Sequence, residues 1–181
     1  VVTYETVPPA DVKAVFEKAA ATWSTVFSSD VPIHVNVKWA SLSANVLGSA
    51  GASVNVRNFV GANRLNTFYP IALAEKMAHK NLNGTNPDIV ATFNSDFTDW
   101  YTGTDGVPKL NQIDLYSVVL HEFGHGLGFI GQVGLTSDHH AQTNPPLPCA
   151  RAPPGPGGGI ILSDSTLSQR AQTEDRHTTD N

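Results

Sequence analysis

The chain has 181 residues with 11 basic and 16 acidic side chains, which give a formal net charge of -5. That length allows one domain with a sizeable core, with or without a tail, and the charge without any Lys/Arg cluster argues against a nucleic-acid partner. No apolar run is long enough to cross a bilayer, and the single cysteine, Cys149, excludes an intrachain disulfide and a cysteine-rich zinc site.

The predicted elements begin with a helix over residues 10–27, where apolar side chains recur at helical spacing. Alternating apolar residues over 31–39 predict a strand. The segment 41–66, rich in Gly, Ala, Ser and Asn, is expected to hold one or two short strands within a long loop. A second helix is predicted over 71–80 and a further strand over 88–94.

The last predicted helix starts near Gln112, with Asn111 or Asp114 as its N-cap, and carries the stretch His121-Glu122-Phe123-Gly124-His125. The glycines at 124, 126 and 128 are expected to loosen and end it. This order of elements predicts an α+β fold, in which helices pack on a mixed sheet and the last helix carries the functional residues.

The composition changes near Gln142, because the chain beyond it holds six of the twelve prolines and the run Gly155-Pro156-Gly157-Gly158-Gly159. Such a composition buries too little apolar surface to offset the entropy of ordering. We therefore expect a folded domain over residues 1–135 and an irregular Pro/Gly-rich tail over 136–181. The start at Val1 without a leader or an initiator methionine, in a chain rich in Ser, Thr and Asn, leads us to expect a secreted, monomeric protein.

His121 and His125 stand four residues apart, so on a helix both imidazoles lie on one face and reach a single metal ion. Glu122 between them is placed to act on water at that metal. The spacing predicts a Zn²⁺ site with His121 and His125 as ligands and Glu122 as general base. The alternative is a pair of surface histidines on an ordinary helix.

The stretch from His121 to Gly128 resembles the active-site helix of the zincin metallopeptidases, in particular the metzincin branch, in which a glycine follows the second histidine by three residues. Residues 88–131 are also similar to bacterial secreted proteins regarded as zinc metalloproteases. The resemblance implies a zincin-like fold, zinc endopeptidase activity on peptide or protein substrates, and an edge strand over 88–95 that pairs with an extended substrate.

The chain departs from the metzincin pattern at two positions. The third ligand belongs at position 131, where Gly131 has no side chain to offer, and the only methionine, Met77, lies upstream of the place of the methionine turn. Substitute ligands are Asp138, His139 or His140, or more remotely Asp164 or Glu174, with the two histidines favoured by residue type and a solvated pair as their alternative. Cys149 is interpreted as a free thiol.

Three acidic residues, Asp96, Asp99 and Asp105, offer the hard oxygen ligands of a structural Ca²⁺ site. Their spacing is not that of an EF-hand, so an ordinary turn-rich loop is the favoured interpretation. Trp100 and Tyr101 beside them are expected to be core aromatics rather than the lining of a cleft. His34 is expected to be an internally paired or surface histidine, and His79 and His177 are expected to be solvent-exposed.

The sequence thus predicts a secreted zinc endopeptidase with a peptide or protein substrate. Two other functions stay open. One is an inactive or truncated fold that serves as a binding or structural module with an incomplete metal site, which Gly131 favours. The other is a non-peptidase hydrolase built on the same two-histidine helix, which activity on small esters or amides would distinguish.

Overall fold

The structure is a computed structural model that describes residues 1–130. In that part of the chain three helices combine with eight strands in a mixed α/β arrangement. The helices are α1 (Ala10–Val26), α2 (Ile71–Ala78) and α3 (Leu115–Leu127). The strands are β1 (Val2–Tyr4), β2 (Val35–Ala40), β3 (Gly48–Ala52), β4 (Asn55–Val56), β5 (Tyr69–Pro70), β6 (Ile89–Asn94), β7 (Trp100–Tyr101) and β8 (Ile113–Asp114).

The largest sheet has the strand order β1-β2-β6-β3. β1, β2 and β6 run parallel, and β3 pairs antiparallel with β6, so Ala91 lies opposite Val37 on one side and Ala50 on the other. β4 pairs antiparallel with β5, and β7 pairs parallel with β8. The edge strand expected over 88–95 is therefore wrong: β6 has a neighbour on both sides, and β3 is the edge strand beside it.

The core lies between this sheet and the pair α1 and α3. α1 turns Val12, Phe16 and Ala19 inward because residues three and four apart share one face of a helix. Phe16 packs on Phe93 of β6 with ring centroids 4.9 Å apart, and Phe93 in turn contacts Phe123 of α3. Each fully buried phenylalanine contributes roughly 1.5–3 kcal/mol of hydrophobic stabilisation.

The motif helix begins later than predicted, and Gly128 ends it as predicted. It begins at Leu115 instead of near Gln112, because Ile113–Asp114 pairs with Trp100–Tyr101 as a short strand. It also continues through Gly124 and Gly126 to Leu127, and Gly128 ends it in the left-handed conformation with φ 106°. Tertiary packing keeps the two internal glycines helical despite their low propensity.

Residues 131–181 lie outside the described part of the chain, and with them the tail predicted over 136–181. The proposed ligands Asp138, His139, His140, Asp164 and Glu174, together with Gly131, Cys149 and His177, fall there too. Within residues 1–130 no helix is both long enough and apolar enough to span a bilayer.

Candidate active site

The motif helix α3 is held at its start and along one side. At its start, Asp114 accepts hydrogen bonds from the backbone N–H groups of Tyr116 (3.3 Å) and Ser117 (3.2 Å), which makes it the N-cap. Along its side, the indole Nε1 of Trp23 donates to the carbonyl of Leu120 at 2.9 Å. The helix therefore presents its functional side chains from a fixed position.

Two glycines let α3 come close to its neighbours. A Cβ added at Gly124 would lie 3.1 Å from the ring of Trp23. A Cβ at Gly126 would lie within 2.8 Å of Cδ1 and Cγ1 of Ile89 on β6. Only the absence of a side chain allows this approach, so the two glycines inside the motif fix the distance between the motif and the sheet.

His121 and His125 converge. Their Nε2 atoms lie 2.9 Å apart, and the ring planes meet at 84°. Nδ1 of His125 donates to the carbonyl oxygen of Phe129 at 2.8 Å. Because a carbonyl only accepts hydrogen bonds, the proton of the neutral ring sits on Nδ1, and the lone pair of Nε2 faces His121.

The pKa of His121 lies below its ordinary value, first because its ring is partly desolvated and second because of the neighbouring His125. Both effects favour the neutral imidazole, which is the form that binds metals. His121 itself is exposed, whereas His125 is only 8% exposed, so the pair opens to solvent on the His121 side.

Glu122 points to the sheet and is fully buried. Its Oε2 accepts a hydrogen bond from the backbone N–H of Ala50 in β3 at 2.8 Å, and its Oε1 has no partner among residues 1–130. Burial raises the pKa of the Glu122 carboxyl, and the nearby His125 and the Ala50 N–H partly oppose that shift. Glu122 thus links the histidine helix to the edge strand.

The hydrogen-bond phase of β3 shows which of its backbone groups face outward. Ser53 N donates to Asp88 O at 2.9 Å and Asn94 N donates to Leu47 O at 3.0 Å, so odd-numbered residues from 47 to 53 bond to the β6 side. Gly48, Ala50 and Ala52 therefore turn their N–H and C=O groups to the outer edge. No strand among residues 1–130 pairs with that edge, and Glu122 occupies the Ala50 N–H.

The histidine pair fits two positions of a zinc site. Zinc holds nitrogen ligands at about 2.0–2.1 Å in a tetrahedron, which sets neighbouring donor atoms about 3.3 Å apart. The 2.9 Å between the two Nε2 atoms is close to that spacing. Across residues 1–130, however, no group of three or more His, Cys, Asp or Glu side chains could hold a metal ion. The described residues thus offer two candidate ligands and no third.

The two other histidines among residues 1–130 lie beside acidic side chains elsewhere in the fold. Nδ1 of His34 lies 3.8 Å from Oδ2 of Asp88, and Nδ1 of His79 lies 2.8 Å from Oδ2 of Asp30. Both agree with the expectations from the sequence.

The acidic loop residues have separate partners in the structure. Asp105 accepts from the Tyr101 hydroxyl at 2.6 Å, and Asp96 accepts from the hydroxyl of Ser41. Trp100 packs its ring on Phe97 with centroids 4.9 Å apart and donates to the carbonyl of Asn94 at 2.9 Å. Trp100 is therefore a packing residue, and the Ca²⁺ site with Asp99 stays a prediction.

Sequence reasoning missed Ala50 and Phe129 as partners of the motif. Both act through backbone atoms, which carry no residue-type signal. Only the pairing of β3 with β6 and the turn at Gly128 bring them to the site.

A family model described as SPBPB7E8-like matches residues 5–147. The chain belongs to the SPBPB7E8-like family. No curated protein and no solved structure matches it.

The resemblance to the zincin metallopeptidases, and to the metzincin branch in particular, is wrong as an assignment of family. The matching family is SPBPB7E8-like, and residues 1–130 contain no group of three metal-binding side chains. The physical reason is that two histidines and a glutamate in one and a half turns fix only a local helical geometry, which different folds can present.

Proposed function

We propose that the chain is a zinc-dependent hydrolase that cleaves peptide bonds, with His121 and His125 as metal ligands and Glu122 as general base. The convergence of the two Nε2 atoms at 2.9 Å is the observation that carries this proposal. Bound zinc supplies Lewis-acid polarisation of a carbonyl and makes water a nucleophile near neutral pH. The bond from Nδ1 of His125 to Phe129 O keeps the ligating nitrogen directed at the site.

Glu122 has the features required of a general base. In the free protein it is anchored through Oε2 to Ala50 N–H, while Oε1 is left without a partner among the described residues. Its raised pKa brings the carboxylate closer to the basicity needed near neutral pH. In the proposed reaction Oε1 takes a proton from the attacking water and returns it to the leaving amine.

The outer edge of β3 favours a peptide as the substrate. An extended peptide adds to an unpaired strand edge through main-chain hydrogen bonds, and no strand among residues 1–130 pairs with the outer side of β3, where Gly48 and Ala50 are buried and Ala52 is partly exposed. Glu122 contacts the same edge, so a chain paired there lies next to the proposed base. We further propose that the enzyme is secreted and monomeric and acts on peptides or unfolded proteins.

Glu122→Gln tests the mechanism, because Gln retains an oxygen for Ala50 N–H and loses only the basic carboxylate. With the zinc-loaded full chain and an unfolded protein as substrate, we expect unchanged zinc content and a loss of kcat of about 10²–10⁴-fold. His121→Ala should lose both zinc and activity. Glu17→Gln, which changes an exposed glutamate of α1, is the matched control. Full peptidase activity in Glu122→Gln would overturn the mechanism.

A second function, a non-catalytic binding module with an incomplete metal site, is favoured because residues 1–130 contain no group of three metal-binding side chains. Zinc titration of the metal-free full chain separates the two proposals. One equivalent bound at nanomolar strength, about -12 kcal/mol, requires a third ligand and supports the enzyme. Micromolar or absent binding supports the module.

A further inference from the structure

A second set of buried polar side chains lies outside the motif, where α2 meets the start of β6. Glu75 on α2 and Asp88 just before β6 are each 1% exposed. A carboxyl group at such depth is costly in its charged form unless it is well bonded. Two of them in contact raise the question of how both are accommodated.

Asn83 connects the two acids. Oε1 of Glu75 accepts from the backbone N–H groups of Leu82 (2.8 Å) and Asn83 (3.3 Å). Oδ1 of Asp88 accepts from the Asn83 amide Nδ2 at 2.8 Å, and the same Nδ2 donates to Pro87 O at 3.3 Å. Oδ2 of Asp88 accepts from the backbone N–H of His34 at 2.7 Å. We call Glu75, Asn83 and Asp88 the acid clasp.

Two oxygens of the acid clasp are left over. Oε2 of Glu75 and Oδ1 of Asn83 are buried and have no hydrogen-bond partner among residues 1–130. Turning the Asn83 amide around would set its oxygen against Asp88 and Pro87 and lose both donated bonds, so the amide orientation is fixed by its partners. Both remaining atoms are acceptors, and the cluster is short of one donor.

Asp88 is the titratable side chain that interacts with the Glu75 carboxyl, and its negative charge opposes ionisation of Glu75. On the far side of Asp88, Nδ1 of His34 lies 3.8 Å from Oδ2. The neighbouring charges on α2 point elsewhere: Lys76 donates to Ser28 O, and His79 pairs with Asp30.

We propose that Glu75, Asn83 and Asp88 form a proton-dependent clasp, in which a proton on Oε2 of Glu75 holds residues 79–88 against α2 and its loss loosens them. The proton makes the Glu75 carboxyl a donor towards the Asp88 carboxylate beside it and removes one of two adjacent negative charges. On ionisation it leaves for solvent, and no other reactant is needed. Asp88 precedes Ile89, which packs on Gly126 of α3, so the clasp also supports the sheet beneath the motif helix.

Burial raises the pKa of Glu75, and Asp88 adds to the rise against the opposing N–H groups of Leu82 and Asn83. Below the ordinary carboxyl range Glu75 is protonated in both folded and unfolded chains. As the pH rises, the unfolded chain loses its proton first, so folding stability falls until the folded Glu75 has ionised too.

The test is an NMR titration of the Glu75 Cδ in the full chain, with hydrogen exchange at the Leu82 and Asn83 amides in the wild type and in Glu75→Gln. The substitution keeps an acceptor for both amides and offers a permanent N–H donor. We expect Glu75 to titrate above the ordinary glutamate value of about 4.3. The Leu82 and Asn83 amides of the wild type should lose hydrogen-exchange protection relative to Glu75→Gln only over the pH range in which Glu75 ionises.

In numbers, protection of the two amides in the wild type should fall roughly tenfold, relative to Glu75→Gln, for each unit by which the folded pKa exceeds the unfolded one. Glu17→Gln should behave like the wild type, since Glu17 is an exposed residue of α1. A measured pKa of Glu75 at or below the ordinary glutamate value overturns the proposal. That measurement uses the wild-type protein alone, so it does not depend on whether a variant folds. An unchanged pH dependence in Glu75→Gln also overturns the proposal.

Discussion

A buried polar atom without a hydrogen-bond partner marks a residue that either belongs to a functional site or destabilises the fold. Among residues 1–130, Oε1 of Glu122 belongs to the candidate active site, and Oε2 of Glu75 and Oδ1 of Asn83 belong to the acid clasp. The remaining one is the hydroxyl of Tyr4, which neither site uses. Because a buried hydroxyl without a partner costs free energy, Tyr4 is a residue at which removal of a polar group should be tolerated.

Tyr4→Phe should leave the melting temperature unchanged or raised at neutral pH. Burial and the nearby Glu17 raise the pKa of Tyr4 from 10.0 to about 12, so in the wild type stability falls as the pH rises from 10.0 towards about 12. Thermal unfolding across this range should show a smaller alkaline loss in Tyr4→Phe.

Tyr101→Phe is the contrasting control, because it removes a hydroxyl that donates to Asp105 at 2.6 Å and should lower stability slightly at neutral pH. A Tyr4→Phe variant less stable than Tyr101→Phe at neutral pH would contradict the interpretation of Tyr4.

Among individual residues, the sequence predicted only the contacts between side chains that are close together in the chain. The contact of His121 with His125 follows from one turn of helix, and their Nε2 atoms do converge. The partners that orient them did not follow from the sequence. Glu122 bonds to Ala50 across 72 residues of chain, and the acid clasp brings Glu75 to Asp88 through a loop whose path no periodicity encodes.

At the scale of elements, α3 depends on its first turn. Asp114→Ala should lower the free energy of unfolding by about 1 kcal/mol, because it removes the acceptor for the Tyr116 and Ser117 N–H groups. Urea unfolding measures the difference. Asp114→Asn retains an N-cap acceptor and should keep most of the stability. Equal stability of the wild type and Asp114→Ala would mean that the cap contributes nothing.

Elements with a strong pattern were predicted to within a few residues, as α1 and β6 show. β3 was foreseen only as a short strand somewhere in a long loop, since its sequence of Gly, Ala and Ser has no apolar alternation. Its position follows from pairing with β6. The same pairing makes β6 an interior strand of the sheet instead of the expected edge strand. Pairing partners are non-local, so a single strand's pattern does not reveal them.

For the whole molecule, the spacing between α3 and the sheet is decided at Gly126. Gly126→Ala should destabilise the protein by roughly 1–3 kcal/mol through overpacking against Ile89, less a helix-propensity gain of up to about 1 kcal/mol. Chemical denaturation of the full chain measures the net effect. At Gly51 an added Cβ meets nothing within 4 Å, so Gly51→Ala is the control with little expected loss. Gly126→Ala as stable as Gly51→Ala would show that the helix moves freely on the sheet.

The hydrogen bond between Ala50 and Glu122 has a consequence for the order of events in the proposed enzyme. A peptide that pairs fully with β3 needs the Ala50 N–H for its own carbonyl, and Glu122 holds that N–H at rest. In the proposed enzyme, docking therefore displaces Oε2 of Glu122 from the strand, so that Oε2 becomes free beside Oε1, which has no partner among the described residues. If the proposed function holds, Glu122 satisfies its own edge strand in the free protein, and substrate pairing is the event that makes its carboxylate available as a base.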